Sequence, residues 1–273
     1  VQAKMRSVVH LFLFSVLLEG IHCHYVGTWN IQNFGPTKAK NEELLTKISQ
    51  ICGNFDVLAI QEISDTSGKA METLMNKLPN YGMVMSQRVG QGGYAEQYAV
   101  IYNKMKFIVT SVGVYNGSSE FKRAPYFATV KSLKSDLFFG LGVIHTSPEL
   151  AVTEVDRLAD AADWYISTTN HENVMVVGDY NSACNYVRTK DYRNIRLYTR
   201  PDFRWLVPTC FDSTVSETTD CAYDRIVIKG ERLWGKIVPF SSEVYDYKKI
   251  YRLNQKVAES ISDHYPVRLE MQD

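Results

Sequence analysis

The segment Ser262-Asp263-His264-Tyr265-Pro266 places a carboxylate and an imidazole side by side, just before an apolar run typical of a β-strand. Four other short apolar runs also end in acid, amide or imidazole side chains: Thr28-Trp29-Asn30, Leu58-Ala59-Ile60-Gln61-Glu62, Gly142-Val143-Ile144-His145 and Val176-Val177-Gly178-Asp179-Tyr180-Asn181. Side chains at strand ends are held by a rigid sheet yet stay open to solvent, as a catalytic centre requires. One such residue would be an ordinary polar strand terminus, but five together favour a metal-dependent hydrolase.

The rest of the chain alternates between helical and strand patterns. Apolar periodicity predicts helices at 37–52, 70–78 and 150–168, the first with Thr37 as its N-cap. Between and after these lie short β-branched or aromatic runs, at 57–60, 97–102, 107–115, 126–130, 137–144, 174–177, 225–228 and 266–271. No repeat, low-complexity tract or flexible linker interrupts them, so the pattern predicts one α/β domain over residues 24–273, with sheets flanked by helices.

Composition sets broad limits on function. The 273 residues are 45% apolar, with 30 basic and 30 acidic side chains, which suits an ordinary globular protein with a full-sized core. A net charge near zero argues against a surface that coats polyanions broadly. Any affinity for nucleic acid must therefore come from a local cleft.

The N-terminus has the order of features expected of a secretory signal. Arg6 supplies a positive start, the apolar run 8–18 follows, and Gly20 and Cys23 come near a cleavage point. We expect residues 1–23 to be a signal peptide, with residues 1–4 preceding a candidate initiator, Met5. This predicts a secreted, extracellular protein whose mature chain starts near His24 and has no membrane span.

The cysteine content agrees with secretion through an oxidising compartment. Without Cys23, an even set remains, Cys52, Cys184, Cys210 and Cys221, and it allows three pairings. Asn116-Gly117-Ser118 is a glycosylation sequon in a polar stretch, so a glycoprotein is expected.

The polar strand ends carry a consistent chemistry. Hard divalent cations prefer carboxylate and amide oxygens, and the candidates are Glu62, Asp179, Asp263, Asn30 and Asn181. The cysteines lack zinc spacing. Two histidines, His145 and His264, are candidates for general base and general acid around a phosphate, and each needs a carboxylate to fix its tautomer. Glu96 and Asp224 are the candidates for that role.

Seven blocks of the sequence carry a family resemblance. In chain order they are Trp29-Asn30-Ile31-Gln32-Asn33-Phe34-Gly35, Ile60-Gln61-Glu62, Tyr94-Ala95-Glu96-Gln97-Tyr98, His145-Thr146-Ser147-Pro148, Gly178-Asp179-Tyr180-Asn181-Ser182-Ala183-Cys184, Cys221-Ala222-Tyr223-Asp224-Arg225-Ile226 and Ile261-Ser262-Asp263-His264-Tyr265-Pro266-Val267. Together they resemble the secreted type I deoxyribonucleases of the endonuclease/exonuclease/phosphatase superfamily. The resemblance covers residues 25–271.

This resemblance implies a fold and a catalytic centre. The fold would be a four-layer α/β/β/α sandwich with two central sheets face to face. Glu96–His145 and Asp224–His264 would be two acid–imidazole pairs on either side of the scissile phosphate. Glu62, Asp179, Asp263 and Asn30 would hold Mg²⁺ (or Mn²⁺), and the substrate-binding positions implied are Asn30, Tyr94, Arg123, Asn181, Tyr186 and Tyr223.

The implied activity is a divalent-metal-dependent endonuclease acting on DNA, mainly double-stranded, with low sequence preference. One histidine would deprotonate the attacking water and the other would protonate the departing 3′ oxygen, leaving 5′-phosphate ends. Which histidine has which role stays open. The protein is expected to be a monomer.

Two further implications concern structural sites. The resemblance implies a Cys184–Cys221 disulfide, with Cys52 and Cys210 either paired or free. Asp212 and Thr214 are candidate ligands of a structural Ca²⁺, whereas a second calcium site is expected to be weak or missing because the stretch 115–123 is short. Tight actin binding is not expected, since Met83, Met85 and Tyr126 stand at the corresponding positions.

Two alternatives remain open at this point. A phosphodiesterase of the same superfamily, acting on phosphoinositide or sphingomyelin, would keep the fold and metal site. A catalytically inactive relative that binds DNA or protein would keep only the fold. The Tyr94–Glu96 and Cys221–Arg225 blocks argue against the first, and the intact histidines and carboxylates argue against the second.

Overall fold

The computed structural model describes residues 23–90, 92–117 and 121–272. The predicted signal segment, apart from Cys23, and Ser118 of the sequon lie outside the described residues. None of the helices in the described ranges is both long enough and apolar enough to cross a bilayer.

Within these residues the strands form two six-stranded sheets. The strands are β1 (Cys23–Phe34), β2 (Val57–Ile63), β3 (Tyr81–Met85), β4 (Gln97–Asn103), β5 (Phe107–Val114), β6 (Tyr126–Ser132), β7 (Phe138–His145), β8 (Val174–Asp179), β9 (Phe203–Trp205), β10 (Asp224–Lys229), β11 (Glu243–Val244) and β12 (Val267–Gln272). The first sheet has the order β11-β12-β1-β2-β4-β3 and the second β5-β6-β7-β8-β10-β9. Each sheet has one parallel pair at its centre, β1–β2 and β7–β8, with antiparallel neighbours on both sides.

The helices lie mostly on the outer faces of these sheets. They are α1 (Pro36–Lys40), α2 (Glu42–Cys52), α3 (Lys69–Asn76), α4 (Ala151–Thr169), α5 (Arg196–Thr199), α6 (Glu231–Trp234), α7 (Tyr247–Ile250) and α8 (Gln255–Ile261), with 3₁₀ turns at Gly92–Tyr94, Pro148–Leu150 and Tyr192–Asn194. The buried side chains of α2 and α3 pack on the first sheet and those of α4 on the second. A third apolar cluster, including Val26, Val100, Val143 and Val177, fills the space between the sheets. The predicted four-layer sandwich is therefore confirmed.

The predicted helix at 37–52 is divided in two, which corrects the expected cap. Pro36 begins α1, where its fixed φ and missing N–H cost nothing. Asn41 then leaves the helical conformation, and its Oδ1 accepts a hydrogen bond from Leu44 N at 3.1 Å. Asn41, and not Thr37, is the N-cap of α2, because its side chain can satisfy an N–H that the new helix leaves free.

Three short strands, β3, β9 and β11, have no counterpart in the sequence prediction. Each lies at the edge of its sheet, where only one neighbouring strand supplies hydrogen bonds. All five residues of β3 are half-buried, so they show no alternation of apolar and polar side chains.

Candidate active site

One edge of the sandwich collects the polar residues that the sequence places at strand ends. The parallel pairs end there, which brings Asn30 and Glu62 from the first sheet next to His145 and Asp179 from the second. The strands that pair antiparallel with these central strands begin at the same edge. They contribute Glu96 just before β4, Arg123 before β6, Asp224 at the start of β10, and Asp263 and His264 before β12.

The first acid–imidazole pair joins the two sheets. His145 Nδ1 lies 3.1 and 3.2 Å from the two oxygens of Glu96, and both side chains are largely buried. The His145 backbone N–H donates to the hydroxyl of Tyr98 at 3.1 Å, which holds the end of β7 against β4. The ring therefore turns its other nitrogen, Nε2, away from Glu96.

The second pair also joins the sheets, but here the histidine comes from the first sheet and the carboxylate from the second. His264 Nδ1 lies 2.8 Å from Asp224 Oδ2, and Asp224 is fully buried. Ser213 donates its hydroxyl to the same oxygen at 2.7 Å. The His264 segment is fixed to β1, because Trp29 Nε1 donates to the His264 carbonyl at 2.9 Å and Ser262 Oγ donates to the Asn30 carbonyl at 2.6 Å.

A single carboxylate oxygen lies between the two rings. Asp179 Oδ2 is 3.6 Å from His145 Nε2 and 3.5 Å from His264 Nε2. The register explains this position, since Asp179 is opposite His145 on β7 and opposite Asp224 on β10. Two imidazoles, each backed by its own carboxylate, thus face a common point.

The charges of these buried groups depend on one another. Burial favours neutral histidine, but Asp224 and Asp179 outweigh it and hold the pKa of His264 well above its usual value. In the same way, Glu96 and Asp179 outweigh burial and raise the pKa of His145. Burial favours the neutral Asp179 carboxyl, but the two histidines outweigh burial and lower its pKa. Burial raises the pKa of Asp224, although the neighbouring His264 acts to lower it.

Asn30 ties together two of the predicted metal-binding carboxylates. Its Nδ2 donates to Glu62 Oε1 at 2.9 Å and to Asp179 Oδ2 at 3.1 Å, so these two carboxylates converge. Its own oxygen accepts from Gln32 N at 3.0 Å. Asn30 thus positions the two carboxylates through its amide nitrogen, and its coordination of a cation stays a prediction. Asp263 lies beside this group with 53% of its side chain exposed. The oxygen-only donor set of Glu62, Asp179 and Asp263 fits a hard divalent cation.

The residues whose ligand atoms lie within 4.8 Å of one another in the described structure form a different set, namely Asp179, Asp224 and His264. Asp224 Oδ2 is already engaged by His264 and Ser213, whereas the Glu62 side is open to solvent. We therefore favour the Glu62, Asp179 and Asp263 set.

The backbone at this edge adopts uncommon conformations. Gly178 has φ +143°, and a Cβ there would lie 1.8 Å from the Ile144 carbonyl oxygen, so only glycine lets β8 approach β7 just before Asp179. Glu62 and Asn181 take left-handed φ values of 62° and 47°. Such strain in non-glycine residues is concentrated at functional sites, where the surroundings hold it in place.

The predicted substrate-binding residues lie around this centre. Arg123 donates to the carbonyls of His145 and Thr146 at 3.0 Å each, and it shares a 200 Å³ pocket with Glu62, Glu96 and His145. Asn181 donates its amide to the Thr146 carbonyl at 3.1 Å. The Tyr94 side chain lies outside the part of the chain that the structure describes.

Two tyrosines extend from His264 over the surface. The ring centroids of Tyr223 and His264 are 6.1 Å apart, and those of Tyr223 and Tyr186 are 5.5 Å apart. Cys184 and Cys221 form a disulfide next to them, which confirms the predicted pairing. Cys52 is buried under the first sheet and Cys210 is exposed, so they do not pair with each other.

The candidate calcium loop before Cys221 is closed by its own side chains. Asp212 Oδ1 accepts from Thr214 N, Thr214 Oγ1 and Cys221 N at 2.9, 2.6 and 3.1 Å. The two predicted ligands therefore lie together, and calcium binding there stays a prediction.

Sequence reasoning missed three residues that hold the site in place. Ser213 supports Asp224, and the backbone N–H groups of Tyr223 and Asp224 donate to the Ser213 hydroxyl at 3.2 Å each. Lys38 donates to the carbonyls of Ile31, Gln32 and Ile261. Buried Glu154 accepts from Lys122 N and Ser147 N at 2.7 Å each, next to Arg123 and His145.

No sequence pattern singles out Ser213 or Lys38, since an isolated serine or a lysine in a short helix has no motif. Glu154 did carry a signal, because a charged residue on the otherwise apolar face of the α4 pattern is unusual.

Comparison with known proteins agrees with this geometry. The sequence profile of the Endonuclease/Exonuclease/phosphatase family matches residues 27–264. Deoxyribonuclease gamma of Rattus norvegicus is 34% identical over 275 residues, which cover 96% of this chain and 89% of the relative. Deoxyribonuclease-1 of Homo sapiens is 33% identical over 280 residues, which cover 97% of this chain and 98% of the relative.

A solved structure shows the same fold at much lower sequence similarity. The endonuclease/exonuclease/phosphatase protein from Bacteroides vulgatus superposes with a TM-score of 0.62 at 16% identity, covering 92% of this chain and 99% of that one. The chain belongs to the endonuclease/exonuclease/phosphatase family, where its relatives are deoxyribonuclease-1 and deoxyribonuclease gamma.

Proposed function

We propose that this enzyme is an endonuclease that hydrolyses phosphodiester bonds of DNA, mainly double-stranded, with low sequence preference. The observation that carries the proposal is the pair of imidazoles whose Nε2 atoms lie 3.6 and 3.5 Å from one oxygen of Asp179, each backed by a buried carboxylate. Relatives at 33–34% identity named as deoxyribonucleases support DNA as the substrate.

The two pairs suit general acid and base catalysis on opposite sides of a phosphate. Glu96 and Asp224 each accept from Nδ1, so each ring directs Nε2 to the reacting centre. One histidine takes a proton from the attacking water, and the other gives a proton to the departing 3′ oxygen. The products carry 5′-phosphate ends. The raised pKa of both histidines, caused by their carboxylates against the effect of burial, favours imidazolium at the acid position.

A divalent cation completes this chemistry. Glu62, Asp179 and Asp263 would hold Mg²⁺ or Mn²⁺, with Asn30 positioning the first two. Such an ion, when bound, supplies positive charge that offsets the charge developing on the phosphoryl oxygens. Arg123, Asn181, Tyr94, Tyr186 and Tyr223 would contact the substrate backbone, and Ca²⁺ at Asp212 and Thr214 would stabilise the loop before Cys221.

We further infer that the protein is secreted and acts as a monomer. The disulfide between Cys184 and Cys221 suits an oxidising compartment. The signal-like order of residues 1–23 points the same way.

Nicking of supercoiled plasmid tests the activity. We expect conversion to open-circle and linear DNA in Mg²⁺ plus Ca²⁺, and its loss with EDTA or in His145→Ala. His171→Ala is the matched control, because His171 precedes β8 at the end opposite Asp179 and makes an edge-to-face contact with Phe138. No nicking by well-folded protein would reject the nuclease, and release of phospholipid headgroups would then be measured.

A further inference from the structure

A cleft of the described structure lies beside the catalytic centre. It has a volume of about 780 Å³, and its walls include Arg188, Thr189, Arg193, Tyr198 and Thr199, with Arg225 at its base. This volume falls in the range of roughly 300–1,000 Å³ typical of pockets that enclose a small ligand. None of the residues assigned above to catalysis or metal binding lines it.

Two tyrosine rings lead from the reacting centre toward the cleft. Tyr223 lies next to His264, and Tyr186 lies next to Tyr223, with ring centroids 6.1 and 5.5 Å apart. Tyr186 is 42% exposed, and the nearby residues Cys184 and Val187 form part of the cleft wall. A DNA strand that runs from His264 over these two tyrosines therefore reaches the cleft.

The cleft is cationic, although the chain as a whole is neutral. Arg193 is exposed and has no ion-pair partner within the described residues. Arg188 pairs with Asp191 at 3.3 Å but keeps 62% of its side chain exposed. The fully buried Arg225 bonds only neutral groups in the described structure, namely Ser182, the Val207 carbonyl and the Tyr192 hydroxyl. The exposed guanidinium groups of Arg193 and Arg188 thus favour an anionic ligand, and the buried Arg225 adds positive charge beneath them.

Tyr198 provides a rigid surface for stacking. One side of its ring packs against Tyr192 and Trp205, with centroids 4.8 and 5.5 Å away, while half of the residue remains exposed. An aromatic ring stacks on the face of a base, and guanidinium groups hold the adjoining phosphates. Stacking of this kind requires an unpaired base, because base pairs above and below cover the faces of bases in a duplex.

We propose that this cleft binds an unpaired segment of the DNA strand that runs from the active site over Tyr223 and Tyr186. The inference rests on the proposed nuclease function and adds a single-strand subsite to it. Tyr198 stacks on a base, and Arg193 and Arg188 contact the phosphates. The subsite favours substrates with a single-stranded tail or frayed end.

Binding measured without cleavage tests the subsite. Fluorescence anisotropy of a labelled oligothymidine, and of a blunt duplex, would be recorded on His145→Ala protein carrying Tyr198→Ala or Arg193→Ala. We expect each change to weaken single-strand binding by roughly tenfold, the scale of losing one stacked base. Duplex binding should change by less than about twofold. Tyr198→Phe keeps the ring and should bind like the parent.

Matched controls come from the opposite end of the sandwich. Lys104→Ala removes an exposed cation in the β4–β5 turn, and Phe240→Ala removes an exposed aromatic ring before β11. Neither should change single-strand binding. Equal loss on single strand and duplex, or no loss in Tyr198→Ala, would overturn the subsite.

Plasmid nicking by the protein with His145 intact separates the two ideas. Nicking together with unchanged single-strand binding in Tyr198→Ala would remove the cleft proposal and leave the nuclease in place. Selective loss of single-strand binding without any nicking by the unmutated protein would support the cleft and reject the nuclease.

Discussion

At the scale of single residues, the site depends on a few side chains whose orientation is fixed by hydrogen bonds. Each catalytic histidine is held through Nδ1 by a carboxylate from the opposite sheet. Because both partners are buried, a change in charge at one of them is not compensated by water. Two predictions follow from this arrangement and from the lysine that supports it.

Asp224→Asn keeps the shape of the side chain but removes the negative charge next to His264. We expect the nicking rate to fall by at least about a hundredfold, the usual scale for losing an acid–base group. The rate would be measured on supercoiled plasmid at neutral pH. Asp220→Asn, an exposed neighbour in the same loop region, is the control and should retain full activity. Activity above a tenth of the parent's would argue against the role of Asp224.

Lys38 joins the end of β1 to the segment before Asp263 and His264. The change Lys38→Met removes its ammonium group and keeps an apolar side chain. The ammonium group donates to three carbonyls at 2.9, 2.5 and 2.8 Å. Burial holds the pKa of Lys38 down at about 8, although Asp263 and Glu62 act against burial. Leaving these carbonyls unpaired should cost roughly 1–3 kcal/mol of unfolding free energy.

Activity of this variant should fall about ten- to a hundredfold, because small misplacements of reacting groups are costly. Urea unfolding and plasmid nicking measure the two effects. Lys40→Met is the control from the same helix, since Lys40 is exposed. Equal behaviour of the two variants would contradict the role given to Lys38.

At the scale of elements, α5 is a helix of only four residues that ion pairs attach to α4. Arg196 bonds Asp156 and Asp160, and Arg200 bonds Asp163 and Asp202. Four residues are too few for a helix to be stable alone. Since Tyr198 and Thr199 belong to α5, these ion pairs also set one wall of the cleft.

Arg196→Ala should make stability less dependent on acid pH. Burial acts against the charged Asp156, but Arg196 outweighs it and lowers the pKa; at Asp160, Arg196 is the leading cause of a lowered pKa. A carboxyl whose folded pKa is lowered stabilises the fold above its unfolded pKa of about 3.9 and loses this contribution as pH falls below it.

We therefore expect the variant to lose about 1 kcal/mol at pH 7, a figure already reduced for solvent exposure. The difference from the parent should disappear below a pH of about 3. Urea unfolding at both pH values measures this, with Arg193→Ala as the control lacking an ion pair. A constant difference across pH would point to lost packing instead of lost charge.

At the scale of the whole molecule, the catalytic centre exists only where the two sheets meet. Each acid–imidazole pair takes one partner from each sheet, and Asn30 from the first sheet bonds Asp179 of the second. The apolar cluster between the sheets therefore sets the distance between the catalytic groups. The Cys184–Cys221 disulfide adds a covalent link beside the catalytic centre.

The disulfide should contribute measurably to the stability of the whole fold. Replacing both Cys184 and Cys221 by Ser opens a loop with a sequence separation of 37, and we expect a loss of roughly 3–4 kcal/mol. Urea unfolding without reductant would show it. Cys210→Ser, an exposed free cysteine, should shift stability by less than about 0.5 kcal/mol. A reductant that destabilises the parent but not the double variant would complete the test.

Local patterns in the sequence were sufficient for the main elements and for the list of reactive residues. The cores of α2, α3 and α4 and most long strands followed from apolar periodicity, because burial of one face is a local requirement. The strand-end motifs at Asn30, Glu62, Asp179 and His264 indicated which polar groups would gather at one edge of the sandwich, although the structure buries all of them except Glu62. The pairing of Glu96 with His145 and of Asp224 with His264 came from the family resemblance, since the partners are 49 and 40 residues apart.

Only the tertiary structure decided which groups hold these residues in place. Ser213, Lys38 and Glu154 act through hydrogen bonds to segments distant in the chain, and a lone serine, lysine or glutamate has no spacing that marks such a role. The break at Asn41 and the edge strand β3 likewise depended on partners outside their own segments. The sequence determined which chemistry was present, and the packing of the two sheets determined its geometry, because the distances between those groups are set by long-range contacts that no local pattern contains.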